Sequence, residues 1–353
     1  MGNLKKDVVI VPPVQAGAIP FMHGINISVG ALSAVTTQDK KINFLANNTF
    51  QLLRIPVYWE SYLADPVGYT ANLQEIADAA DLRDMKVIYD FKQYNLSSYF
   101  GAGLGFPPAL VQSVIGPLSA YPTVKDAQKA FMRKYWDNSA QWNDMSLWDA
   151  QADFMKTVLV EPFRNRASTL GYEIFNEPPL LEDADHEKLK ACFEHIGNRL
   201  VTIDPDAYIA AGHRFLLYTA PTGSFWSVAL IQRTMPAIIN GKVIYTPHWY
   251  IDATISQAGF DYVTGQILKI QQATNTKVIL GEWNDRTKPA DPAKYAKLIA
   301  VCKFNGWSHA LWEFDGGDKG NRCFNENYDI EPARNVWPTL LGAMGVPQVG
   351  SPK

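Results

Sequence analysis

The sequence predicts a single α/β domain, a (β/α)₈ TIM barrel spanning residues 1–353. Apolar runs of strand length alternate with stretches of helical periodicity from one end to the other, the pattern of parallel α/β construction. Eight such runs can be marked, the number that closes a barrel. No Gly-x-Gly-x-x-Gly or Walker-type loop follows an early strand, which counts against a doubly wound open sheet.

In order, a short strand at Val8–Val11 is placed to plug or cover the barrel bottom, and Phe21–Val29 is the first barrel strand. Thr37 caps a helix through Ile42, Phe44 and Leu45, and Phe50–Val57 is the second strand. Thr70 caps the next helix, in which Leu73, Ile76, Ala77, Ala80 and Leu82 recur with a roughly 3.6-residue period. Val87–Phe91 is the third strand. Residues 92–144 then form a long loop insertion, Gly- and Pro-rich at its start, with a short helix at Asp126–Tyr135. A connection of that length either builds a site or moves. Leu147–Arg164 is a helix, and the fourth strand follows, built by Tyr172, Ile174 and Phe175 and stopped by Pro178 and Pro179. Ala184–Ile203 is helical and ends at Asp204-Pro205. Tyr208–Gly212 and Val243–Trp249 are the fifth and sixth strands, with a helix at Phe260–Ala273 after them. Lys277–Glu282 is the seventh strand, Pro292–Phe304 a helix capped by Asp291, and Ser308–Phe314 the eighth strand. A helix around Asn335–Ala343 closes the chain.

Composition narrows the function. The chain is 47% hydrophobic and 19% charged, as expected of a soluble globular protein. A net charge of -3 provides no basic field for nucleic acid or anionic lipid. No stretch is long enough to span a membrane. Cys192, Cys302 and Cys323 form neither a disulfide framework nor a zinc pattern, and no other ligand cluster suggests a metal or organic cofactor. Val8–Val11 is too short for a signal-peptide core, so secretion would require a leader already removed, and the compartment stays open. Aromatic residues make up 12%, including ten tryptophans, a supply that suits either sugar stacking or core packing.

In a barrel the strand ends share one mouth. The second strand ends near Arg54, the third in Asp90 and Lys92, and the fourth in Asn176 and Glu177. The fifth ends in His213 and Arg214, the sixth in His248 and Tyr250, the seventh in Glu282, and the eighth in Trp312 and Glu313. Core packing alone does not predict a polar or aromatic group at nearly every strand end. Two glutamates on separate strand ends, Glu177 and Glu282, are what glycoside cleavage by a general acid and a nucleophile requires.

The ordered motifs Leu-Arg-Ile-Pro-Val, Gly-Tyr-Glu-Ile-Phe-Asn-Glu-Pro, Pro-His-Trp-Tyr, Leu-Gly-Glu-Trp and Leu-Trp-Glu-Phe make the chain resemble glycoside hydrolase family 5, retaining enzymes on (β/α)₈ barrels. The resemblance runs from the second strand to the eighth. It implies Glu177 as acid/base, Glu282 as nucleophile, and Asn176 as a hydrogen-bond partner of the sugar 2-hydroxyl. It further implies Tyr250, paired with His248, steadying the nucleophile, Arg54 beside it, and Trp312 as the platform under the sugar. Physical chemistry agrees: Arg54 and Tyr250 favour an ionised Glu282, while partial burial and the Glu282 charge help Glu177 keep its proton. A carboxyl separation of about 5–5.5 Å and retention of configuration are expected.

One position departs from the family. Its third strand ends in Asp-x-His, whereas here Asp90-Phe91-Lys92 stands. Lys92 could bond a sugar hydroxyl or an acidic substituent, or turn away and leave the place to Gln93 or Tyr94. It is expected not to reach Glu177, because a cation there would strip the acid of its proton. Trp59, Phe106, Trp226, Trp249 and Trp283 follow strand ends and are candidates for stacking sugars, with core packing as the alternative for each. The expected reaction is double displacement on a β-1,4-glucan, without cofactor, by a protein acting as a monomer. A β-mannanase or an endoglycosidase of glycolipids are alternatives on the same scaffold. The glycolipid subgroup often carries a further C-terminal β-domain, and the chain ends soon after its last helical pattern, which counts against that alternative. A barrel that binds carbohydrate without cleaving it is the alternative of another class.

Overall fold

The computed structural model describes residues 19–30, 36–215, 228–251, 255–285, 289–315, 322–325, 327–331 and 335–347, with backbone alone at 214–215 and 228–230. The expected Val8–Val11 strand lies outside this set. Eight parallel strands close a barrel: β1 (His23–Asn26), β2 (Leu52–Val57), β3 (Lys86–Phe91), β4 (Thr169–Glu173), β5 (Tyr208–Phe215), β6 (Val243–Ile251), β7 (Lys277–Asp285) and β8 (Ser308–Leu311). Neighbours in sequence are neighbours in space, and β1 pairs with both β2 and β8 to complete the circle. β2 is buried along its whole length, which a strand in a parallel sheet covered on both faces must be.

Two apolar layers hold the barrel. Met22, Leu52, Ile88, Ala210, Ile244 and Ile279 form a small separate cluster that fills the lower interior. The larger core lies between the sheet and the surrounding helices. Side chains on a strand alternate between faces. Two residues beyond the lower layer, the same interior columns therefore carry Arg54, Asp90, Gly212 and Thr246. Hydrocarbon seals the barrel below, and the polar groups collect above it.

The helices depart from the expectations in instructive ways. Helix α1 (Gln38–Asn47) starts as read, with Thr37 accepting from the Lys40 N–H. After a short α2 (Trp59–Ala64), α3 (Pro66–Asp81) begins earlier than the Thr70 start read from the pattern. Asp65 is its cap, accepting from the Gly68 N–H at 2.9 Å, with Pro66 in the first turn where a missing N–H costs nothing. Residues 92–144 are a folded unit carrying α4 (Pro108–Ile115) and α5 (Val124–Trp136). Phe106 packs on Phe91, Phe131 and Tyr135, and Phe175 on Tyr135 and Trp136, with ring centroids 5.3–5.5 Å apart. Trp136 also donates through Nε1 to the Pro179 carbonyl at 2.9 Å. The insertion thus grips the segment after β4 that bears Asn176 and Glu177.

Helix α6 (Leu147–Met155) continues through a π turn (Lys156–Val160) into a last turn, Glu161–Phe163. Pro162 in that turn has no N–H to bond back, which fits a local break in the ladder. The remaining helices are α7 (Asp185–Ile203), α8 (Val228–Thr234), α9 (Gln257–Thr274), α10 (Pro292–Asn305) and α11 (Val336–Met344). Asp291 caps α10 by accepting from the Ala293 N–H. The three cysteines are free and buried. No described helix is long and apolar enough to cross a membrane.

Candidate active site

Arg54, fully buried on β2, is the hub of the barrel mouth. Its Nε donates to Glu173 at 2.8 Å, and one terminal nitrogen donates to Asn26 at 3.0 Å and Glu282 at 2.9 Å. The other donates to Asn176 at 3.1 Å and pairs with Asp90 at 3.0 Å. Four N–H groups of the guanidinium thus have a hydrogen-bond acceptor, and Asp90 adds a fifth, purely ionic contact. Burial works against the Arg54 charge, but Asp90, Glu173 and Glu282 outweigh it and raise its pKa well above the ordinary value. Burial drives the Asp90 carboxyl well above its usual range, with Arg54 pulling downward and Glu173 adding to the rise.

Glu282 on β7 is buried and receives three donors. Arg54 and the Lys92 ammonium bond Oε1, and the Tyr250 hydroxyl donates to Oε2 at 2.7 Å. Burial alone would raise its pKa, yet the charges of His248, Lys92 and Arg54 hold it well below the usual carboxylate range. Burial, then the charges of Glu282 and Glu177, push the Tyr250 phenol well above its ordinary value, so it stays protonated and donating. Lys92 does not turn away. Its ammonium also donates to Asn176 Oδ1 at 2.9 Å and lies 4.0 Å from the centroid of the Trp312 ring. Gln93 stands behind it, bonded through its amide to the Asn176 backbone.

Glu177 follows β4 with its backbone in the left-handed region, φ 42°. Its side chain is 21% exposed, whereas that of Glu282 is 3% exposed. His248 Nδ1 lies 3.0 Å from Glu177 and 3.5 Å from Glu282, between the two carboxylates. One oxygen of each carboxylate and one nitrogen of His248 all fall within 4.8 Å of one another. Two absent side chains make this crowding possible. A Cβ on Gly212 would sit 2.2 Å from Glu173 Oε1, and one on Gly281 would sit 3.0 Å from His248 Nε2.

The structure brings Arg54, Lys92, Asn176, Glu177, His248, Tyr250, Glu282 and Trp312 together. Among the stacking candidates, Trp59 and Trp283 do not face the mouth. Trp59 is buried and stacked on Phe154 at 4.8 Å, and Trp283 is fully buried, donating to His309 and packed on Tyr295. Phe106 and Trp249 are likewise core residues, the latter against Phe260. His213 is buried beside Thr234, away from the carboxylates. Trp226 and the Arg214 side chain lie outside the described residues. The sequence reading passed over Glu173, Asn26 and the backing role of Gln93. Glu173 carried a usable signal, a charge inside an apolar run on the face of the strand that points inward.

Glu177, His248 and Glu282 are also the one His/Cys/Asp/Glu group among the described residues whose ligand atoms converge as a metal site would. With Arg54 and Lys92 both on Glu282, a cation placed there would meet two positive charges. The arrangement suits acetal chemistry better: a part-exposed carboxyl group opposite a buried carboxylate whose charge is enforced. Together the fold and this pair define a glycoside hydrolase on a (β/α)₈ barrel. The chain belongs to glycosyl hydrolase family 5, whose cellulase model matches residues 14–318.

Solved structures share the fold. Endo-glycoceramidase II from Rhodococcus sp., in an iminocyclitol complex, superposes with a TM-score of 0.69 at 17% identity, over 91% of this chain and 78% of that one. An endogalactoceramidase gives 0.63 at 14% identity, over 83% and 71%. The catalytic domain of Thermobifida fusca endoglucanase Cel5A gives 0.59 at 13% identity, over 92% of each chain. No curated protein sequence matches the chain significantly.

Proposed function

We propose that the chain is a retaining β-glycoside hydrolase acting on β-linked glucan, with Glu177 as acid/base and Glu282 as nucleophile. The carrying observation is the closeness of the two groups, with an oxygen of each carboxylate inside a 4.8 Å cluster. That nearest approach favours the about 5–5.5 Å between carboxyl groups of a retaining enzyme over the about 6.5–9.5 Å that admits an inverting water. In the first step Glu282 attacks the anomeric carbon, the glycosidic C–O bond breaks, and the leaving oxygen takes the Glu177 proton. In the second step Glu177 takes a proton from water, the water oxygen bonds the anomeric carbon, and Glu282 leaves as carboxylate. Arg54, Lys92 and Tyr250 hold Glu282 ionised for attack. His248 orients Glu177, Asn176 meets the sugar 2-hydroxyl, and Trp312 carries the ring.

The β-glucan reading draws on the endoglucanase among the fold neighbours. A second reading, cleavage of a glycolipid at its sugar chain, is favoured by higher fold likeness to the Rhodococcus endo-glycoceramidase, one structure of which is a complex with ganglioside GM3. A panel of glucan, mannan, xylan and glycolipid distinguishes these, and release from mannan alone would shift the reading to a β-mannanase. On an aryl β-cellobioside, Glu282→Gln is expected to abolish turnover. Full activity in that variant would remove Glu282 from the role. Binding without turnover by the unaltered protein would make the barrel a carbohydrate-binding protein.

A further inference from the structure

We propose that Lys92, through its ion pair with Glu282, keeps the covalent glycosyl–enzyme short-lived, so that breakdown of the intermediate outruns its formation. This rests on the reading of Glu282 as nucleophile. An ammonium has three N–H donors. Here they face Glu282 Oε1, Asn176 Oδ1 and the Trp312 ring, and the Lys92 side chain is only 5% exposed. When the Glu282 oxygen bonds the anomeric carbon and the leaving group departs, the carboxylate becomes a neutral ester. Lys92 then keeps an amide oxygen and a ring face but loses the carboxylate it contacts, with Asp90 and Glu177 beyond ion-pair distance, in a place with little access to water. A buried cation stripped of its partner is costly.

Arg54 does not suffer the same loss. It retains its hydrogen-bonded ion pair with Glu173 at 2.8 Å when the Glu282 charge disappears. The cost of the ester state therefore falls on Lys92. It opposes the first step, in which the charge is lost, and assists the second, in which water displaces the sugar and the carboxylate is restored. Removing the ammonium should invert the balance and let the intermediate accumulate.

The test uses the full chain with 2,4-dinitrophenyl β-cellobioside and its 2-deoxy-2-fluoro analogue. Rapid mixing of the unaltered enzyme is expected to release dinitrophenolate without a burst. Lys92→Met and Lys92→His should each show a burst approaching one equivalent per active site. Their fluoro-glycosyl enzymes, labelled at Glu282, should reactivate at least about tenfold more slowly, the change expected from roughly one pKa unit of lost charge stabilisation. Neither burst amplitude nor reactivation rate follows from a merely loosened site, and thermal melting monitors folding of the variants. A full burst from the unaltered enzyme, or reactivation of both variants at its rate, overturns the assignment of Lys92. If a variant fails to fold, the burst of the unaltered enzyme still decides. Labelling at a residue other than Glu282 overturns the nucleophile assignment instead, and with it the basis of this inference.

Discussion

Arg54→Lys keeps the charge and, on a view of residues as charges, should be mild. The contacts say otherwise. Four hydrogen-bond acceptors surround the guanidinium, Glu173, Asn26, Glu282 and Asn176, and Asp90 pairs with it as a charge, all between 2.8 and 3.1 Å. A lysine brings three N–H groups on one nitrogen, so at least one acceptor loses its donor. At about 1.5–3 kcal/mol for each hydrogen bond to a charged group, that sets the lower end of the loss. The figure for breaking a buried ion pair, about 3–5 kcal/mol, sets the upper end. Urea unfolding followed by tryptophan fluorescence would measure the stability term, and kcat/KM on an aryl β-cellobioside the functional one. We expect a loss of about 2–5 kcal/mol and at least a hundredfold fall in kcat/KM, since one ammonium cannot hold Glu282, Glu173 and Asn176 in register as the planar guanidinium does. A variant within about 1 kcal/mol of the parent, the scale of an exposed ion pair, would refute the claim that Arg54 organises the mouth.

Gly212→Ala places a methyl group 2.2 Å from Glu173 Oε1, so Glu173 must move and carry Arg54 with it. A stability loss of about 1–3 kcal/mol, together with lowered activity, is expected by urea unfolding and steady-state assay. Unchanged activity would show that Glu173 can shift without disturbing Glu282. Stability should also fall on acidification. Burial, with Lys303 nearby, lowers His23 to about 4, and burial, with His186 and His248, lowers His213 to about 3. Unfolded histidine titrates near 6.5, so the unfolded chain binds protons first as pH drops. The contribution is complete above about pH 6.5 and is lost progressively toward pH 4 and 3. A thermal midpoint that stays flat or rises over that interval would contradict the two lowered values.

The barrel was legible because each strand is a short apolar run closed by a polar group, and eight of these in alternation with helices leave little choice of architecture. The same feature exposed Arg54, Asn176, His248 and Glu282. What misled the reading of Trp283 and Trp249 was proximity in sequence. Each is the next residue to a group at the mouth, Glu282 and His248, and successive strand residues point to opposite faces. If the glutamate and histidine look inward, the tryptophans must face the helices, as they do. That deduction was available from the sequence. Trp59 was not deducible in this way, since it belongs to α2, and only the position of Phe154 on α6 decides where its ring goes. The insertion was opaque for a related reason. Its aromatic contacts reach across to Phe91 and Phe175, and no local pattern encodes a partner that distant.

On the proposed acid/base role, the left-handed backbone at Glu177 sets selection for folding against selection for chemistry. A side chain with a Cβ costs roughly 1–2 kcal/mol in that conformation, and glycine or asparagine is at ease there. Drift judged only by stability would therefore erode this position, as it would other left-handed side chains such as Thr49 and Leu96, replacing the carboxyl group with a residue that suits the turn. A copy of the gene released from that duty should lose Glu177 while keeping Glu173 and Arg54, since loss of either would strip the other, a buried charge, of its partner. In a set of homologous sequences, the identity at this one position would separate working enzymes from inherited scaffolds.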